Sequence, residues 1–237
     1  MGENQSAKHK EMTEKIREQK QAPKGPIKFQ IQLNEEQKIA KEKILSNAVT
    51  VLSGKAGSGK TLLACQVALD MLFKKSIQKI IITRPTVSKE EIGFLPGDLR
   101  EKMEPWMQPI YSNFYSLYNK EKIDEILESG KIEIVPLAFM RGRTFLDCFI
   151  IVDEAQNCTA KEIITLITRT GEFSKVFILG DPEQSDINGK SGFLKVMNLF
   201  DDQESKDNGI HVFKFTEEDV VRSGLVAYII KKIKKLT

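Results

Sequence analysis

Six short segments rich in apolar residues punctuate the chain as strand candidates: Val49 to Leu52, Lys79 to Thr83, Lys131 to Val135, Phe149 to Val152, Lys175 to Leu179 and Ile210 to Phe215. Where such a segment is apolar on successive residues, as in Phe149 to Val152, it fits a strand covered on both faces. Helix-period segments stand between most of them, Leu62 to Leu72 among these, and another, Glu35 to Leu45, precedes the first. Strands separated by helices imply parallel crossover units, so the predicted class is α/β, a three-layer sandwich around a mostly parallel sheet. Between the second and third strands, Ser88 to Gly130 predicts a mainly helical insertion, rich in aromatic residues that include Phe94 and Trp106. Trp106, Ile110 and Phe114 recur there at helical spacing; a core or subunit-interface face is the commoner explanation of such a stripe, and an interface is favoured over base stacking.

The ends of the chain read differently. Residues 1–28 are rich in Lys, Glu and Gln without a hydrophobic period and predict a mobile charged tail, leaving 29–237 as one domain. From Val221 onward come Arg222, Lys231, Lys232, Lys234 and Lys235 with no acid, while Val226, Ile229, Ile230 and Ile233 would share the inner face of a helix. Cations complete a helix C-terminus in any protein, so this run alone is weak support for phosphate tracking.

Composition narrows the classes further. Apolar residues are 41% and charged residues 29% of the 237, a soluble globular balance with a net charge of only +3. No apolar run approaches a membrane span and the N-terminus has no signal-like core, so a cytoplasmic protein is expected. Cys65, Cys148 and Cys158 lack metal-ligand spacing, and Cys65 and Cys148 fall where small buried hydrophobes are needed.

The first strand runs into Gly54, Lys55, Ala56, Gly57, Ser58, Gly59, Lys60 and Thr61, the spacing G-x-x-x-x-G-K-[ST], with a helix behind it. Backbone N–H groups of such a loop wrap oxyanions at a helix N-terminus, so a bound triphosphate is predicted. Gly54, Gly57 and Gly59 are expected to supply backbone angles closed to residues with a Cβ. Lys60 can reach the β- and γ-phosphates and the Thr61 hydroxyl can ligate Mg²⁺.

Two further strand ends complete that chemistry. FIIVDE, Phe149 to Glu154, ends in adjacent carboxylates: Asp153 to hold the magnesium shell and Glu154 to take the proton of an attacking water. Solvated turn residues or a cap for the helix near Thr159 are the plainer alternatives. Lys175 to Leu179 leads into GDPEQ, where Gln184 can bond the γ-phosphate or the water. Ligands of open α/β sheets collect at this carboxyl edge.

Together these segments resemble the PhoH-like family, stand-alone P-loop ATPases similar to the first motor domain of superfamily 1 helicases. The resemblance rests on SGKAGSGKT (Ser53 to Thr61), ITRPTV (Ile82 to Val87), IGFLPGDL with EKMEPWMQPIY (Ile92 to Tyr111), PLAFMRGRTF (Pro136 to Phe145), IIVDEAQN (Ile150 to Asn157), LGDPEQSD (Leu179 to Asp186) and FTEEDVVRSGLV (Phe215 to Val226). It implies a RecA-like P-loop NTPase fold, ATP with Mg²⁺ as cofactors, and hydrolysis coupled to RNA or another single-stranded nucleic acid.

The resemblance also implies roles for single residues. Gln37, in LNEEQ, matches the helicase glutamine that reads the adenine edge, though Asn34 with Gln37 equally spells a capping box, and both can hold. Arg222 stands where an arginine finger is expected; Arg141 and Arg143 are rivals for it, better suited to RNA phosphates or a neighbouring strand end. With room for one motor domain, a finger supplied in trans implies a homo-oligomer, a hexameric ring being favoured. A small-molecule kinase and a nucleotide-gated scaffold with vestigial turnover remain as alternatives.

Overall fold

The computed structural model describes residues 27–85, 99–140, 142–187, 189–216 and 232. Six strands form one sheet: β1 (Val49–Ser53), β2 (Lys79–Thr83), β3 (Ile132–Ile134), β4 (Cys148–Val152), β5 (Lys175–Gly180) and β6 (Ile210–Lys214). Their order across the sheet is β3-β2-β4-β5-β1-β6, and every pairing is parallel. All six stand where the apolar runs predict them, within a residue or two at each end.

Because successive strand residues point to opposite faces, the sheet divides its side chains between two cores. Leu52, Ile80, Ile82, Phe149, Ile151, Phe177 and Leu179 face one layer, with α1 (Glu35–Ser46), α2 (Lys60–Phe73), α3 (Leu99–Leu117) and α4 (Lys120–Glu128). Val51, Ile81, Ile150, Val152, Val176 and Ile178 face the other, with α5 (Ala160–Ile167) and α6 (Phe193–Phe200). A short α7 (Gln203–Asp207) precedes β6. Burial on both faces explains why the inner strands β1, β2, β4 and β5 read as nearly continuous apolar runs, whereas the edge strands β3 and β6 are only partly buried and carry polar residues such as Glu133 and His211.

Helix starts are chemically specified. Asn34 caps α1, its side chain accepting from Gln37 N at 2.8 Å while Gln37 Oε1 accepts from Asn34 N at 3.1 Å. Thr159 and Glu162 form the same reciprocal box at α5, so the cap after β4 is Thr159 and the carboxylates of Asp153 and Glu154 are free for other work.

The insertion is helical from Leu99 to Leu117 and Lys120 to Glu128, but the role favoured for its stripe needs correction. Met107, Ile110, Phe114 and Leu117 are fully buried within this chain's own core, against α2, rather than presented to another subunit. Spacing of three and four residues marks a covered helix face but cannot say what covers it. Phe94 and the side chain of Trp106 lie outside the described residues, as do Arg141, Arg222 and the C-terminal apolar run.

Candidate active site

Strands β4, β5 and β1 are neighbours, so their three carboxyl ends open onto one cleft, lined among others by Lys60, Thr61, Asp153, Glu154, Asp181 and Gln184. The phosphate loop follows β1. Gly57 and Gly59 have φ of +87° and +76°, angles that favour glycine. Gly54 differs from expectation: its φ is ordinary, and space is what it supplies. A Cβ there would meet Ser58 Oγ at 2.8 Å and Phe215 Cβ at 2.9 Å. Lys60 Nζ folds back over the loop, donating to Gly54 O at 2.5 Å and Lys55 O at 3.1 Å. Burial lowers its pKa, opposed by the nearby carboxylates of Asp181, Glu154 and Asp153.

Loop and acids meet directly. The Thr61 hydroxyl donates to Asp153 Oδ1 at 3.0 Å, tying the start of α2 to the end of β4. Asp153 is buried, and burial raises its pKa against the opposing pull of Arg84 and the Thr61 hydrogen bond. Side chains would alternate faces if β4 simply continued. Instead Glu154 takes a left-handed turn, φ +55° and ψ +37°, and both acids line the same cleft. A non-glycine residue pays about 1–2 kcal/mol for that conformation. Thr61 and Asp153 are hard oxygen donors already in contact, and they suit Mg²⁺, which accepts one or two protein oxygens beside phosphates and water. Among the described residues no group of three or more His, Cys, Asp and Glu could hold a metal ion.

The end of β5 braces the loop. Asp181 Oδ2 accepts the Ala56 N–H at 3.0 Å, Asp181 Oδ1 accepts the Glu183 N–H at 3.1 Å, and the Lys55 ammonium lies 3.2 Å from Glu183. Gln184 is exposed at the cleft wall.

Gln37 occupies a different place. It is 5% exposed, and besides its capping bond its Nε2 donates to Ser58 O at 3.2 Å, so it joins α1 to the loop. Arg143 reaches the neighbouring strand: its Nη1 lies 2.9 Å from Glu133 Oε1 on β3 and its guanidinium 4.8 Å from the centre of the Phe145 ring.

Three residues without a role in the sequence reading belong to the site. Arg84, one residue beyond β2, places Nη2 3.1 Å from Glu154 Oε1 and Nε 3.4 Å from Asp153 Oδ2. Gln156 donates to Glu154 Oε2 at 2.6 Å and accepts the Asp181 N–H at 3.0 Å. Asp181 is the third. Their signal is position, a polar residue at or just past a buried strand's end; their partners depend on strand order.

Comparison with known proteins agrees with this geometry. The family model "PhoH: PhoH-like protein" matches residues 31–234. The PhoH-like protein of Mycobacterium bovis is 42% identical over 188 residues, 78% of this chain and 52% of its own length. That of Synechocystis is 41% identical over 191 residues, 79% and 57% respectively. The chain thus spans about half the length of these curated relatives. Among solved structures, a large terminase from a thermophilic bacteriophage superposes with TM-score 0.52 at 11% identity, covering 85% of this chain and 50% of the terminase. The UvsW helicase of bacteriophage T4 gives 0.50 at 15% identity, covering 85% and 66%. At such identities the likeness shows the fold, that of helicase and terminase P-loop motor domains. Sequence, loop geometry and family match converge: this chain is a P-loop NTPase-fold protein and belongs to the PhoH-like family.

Proposed function

We propose that the chain hydrolyses ATP with Mg²⁺ and couples that hydrolysis to RNA or another single-stranded nucleic acid. The observation that carries the catalytic half is the Thr61–Asp153 hydrogen bond, which joins the phosphate loop to the acid pair while Glu154 and Gln184 open onto the same cleft. A second structure of the bacteriophage terminase, similar in fold with TM-score 0.51, was solved in complex with ADP, which supports a nucleotide in this cleft.

Residues act in sequence from the loop outward. Backbone N–H groups of Gly54 to Thr61 bind the phosphates, and Lys60, held over the loop, neutralises charge on the β- and γ-phosphates. Thr61 and Asp153 hold Mg²⁺, which supplies charge stabilisation on the phosphate oxygens. Glu154 accepts the proton of the attacking water, and Gln184 senses the γ-phosphate. Gln37 braces the loop through Ser58. Arg222, supplied by a neighbouring copy in a ring, remains the proposed finger, and the basic C-terminal run the proposed contact to nucleic-acid phosphates.

The test is phosphate release by purified protein with single- and double-stranded RNA and DNA. Expected are an Mg²⁺-dependent rate stimulated by single-stranded RNA and a loss of about 10²-fold or more in Glu154→Gln. Wild-type protein without phosphate release would remove hydrolysis; equal rates for wild type and Glu154→Gln would remove Glu154 as the proton acceptor; equal rates with and without nucleic acid at low salt would remove the coupling.

A further inference from the structure

Glu154 leaves its strand through a left-handed turn and carries a three-torsion side chain, 43% exposed, into the cleft. A carboxylate so placed samples many rotamers unless it is held, and a proton acceptor works only when aimed at the water it deprotonates. Here it is held at both oxygens. Arg84 Nη2 lies 3.1 Å from Oε1, and Gln156 Nε2 donates to Oε2 at 2.6 Å. Two fixed points define the plane of the carboxylate.

The two holders are themselves constrained. Gln156 is 2% exposed, and its Oε1 accepts the Asp181 N–H at 3.0 Å, which sets the amide's orientation and ties Glu154 to the end of β5. The Arg84 side chain is 16% exposed and spans both acids, Nε lying 3.4 Å from Asp153 Oδ2. It comes from β2, which flanks β4 on the side opposite β5 and β1, so it reaches the acids from the flank away from the phosphate loop. A planar guanidinium presents its donors in a rigid fork and so holds two carboxylates in a set geometry, which the freely rotating donors of an ammonium do not impose.

We propose that Arg84 is a positioning residue for hydrolysis, fixing the Glu154 carboxylate toward the attacking water, with Gln156 as its counterpart and without contact to the triphosphate. This rests on the hydrolysis reading above. It gives Arg84 a role at the chemical centre, distinct from a finger that contacts the transferred phosphoryl group.

The test is a double-mutant cycle on the full chain, with ATP turnover per nucleotide-binding site at saturating Mg²⁺ and thermal melting alongside. Arg84→Lys keeps a cation beside Asp153 but loses the fork; Gln156→Glu keeps the acceptor for Asp181 N–H but loses the donor to Glu154. Each is expected to lower kcat by about 10- to 100-fold, the scale of a misplaced catalytic group, with KM within about threefold. In a Glu154→Gln background each should change the residual rate by less than about twofold, since no base remains to be aimed. Equal losses in both backgrounds, a raised KM at unchanged kcat, or wild-type rates would each overturn the proposal. Should Arg84→Lys fail to fold, Gln156→Glu decides alone. Wild-type protein without turnover would remove the hydrolysis reading and this proposal together, whereas normal wild-type turnover with unaffected variants removes this proposal only.

Discussion

Replacing Gln37 separates a loop brace from an adenine reader. In Gln37→Ala two hydrogen bonds vanish. The first is the capping bond from Asn34 N, whose loss costs about 1 kcal/mol at a helix N-terminus. The second, from Nε2 to Ser58 O, leaves a carbonyl on a residue of 0% exposure without that donor, at about 1–3 kcal/mol. Together the structure assigns about 2–4 kcal/mol to this side chain. Gln37→Glu keeps the capping acceptor and turns a carboxylate toward the Ser58 carbonyl, so it isolates the second bond at about 1–3 kcal/mol. Both variants are to be compared with wild type by urea unfolding and by competition between ATP and GTP for the site. A brace predicts lower stability, and affinity for both nucleotides reduced by the same factor, because Ser58 and Gly59 lose their support. Stability within about 0.5 kcal/mol of wild type, with weakening confined to ATP, would refute the brace and leave adenine reading as the role of Gln37.

Phe114→Ala should destabilise the protein by about 3–5 kcal/mol, the cost of emptying a fully buried aromatic site, without changing its size by light scattering; altered assembly at unchanged stability would return the stripe to an interface. Native protein at pH 8 should resist thiol alkylation, because Cys65, Cys148 and Cys158 are all buried and burial holds the Cys158 thiol at about 12. Mass spectrometry should find alkylation only after unfolding. For Glu133, burial alone would raise the pKa, but hydrogen bonds from Arg143 and Lys79 outweigh it and hold the carboxyl below its ordinary 4.5. Its folded-state pKa is depressed, so its contribution to stability is complete above the unfolded value and is lost as pH falls through the lowered one. The stability gap between wild type and Glu133→Gln, followed by urea unfolding from pH 7 downward, should therefore close only at acid pH.

Much was legible in the linear chain because its determinants are local. Burial on both faces forces nearly continuous apolar runs in the four inner strands, and the short apolar segments of the edge strands β3 and β6 complete a pattern from which the α/β class could be read directly. The phosphate loop is contiguous, and Asn34 with Gln37 and Thr159 with Glu162 build caps within one turn. Partnership between segments distant in sequence was decided only by the fold. Strand order sets β2 beside β4, which brings Arg84 to Asp153 and Glu154 across about 70 residues. It places β5 between β4 and β1, which lets Asp181 hold Ala56 and lets Gln156 bridge two strand ends. The left-handed turn at Glu154 overrides the pleat that would have separated the acids, and the insertion's aromatic stripe proved to be core because α2 was there to receive it. Periodicity records that a face is covered and motifs record which chemistry is at hand; the register of a parallel sheet, set by packing over its whole surface, determines which of those groups meet.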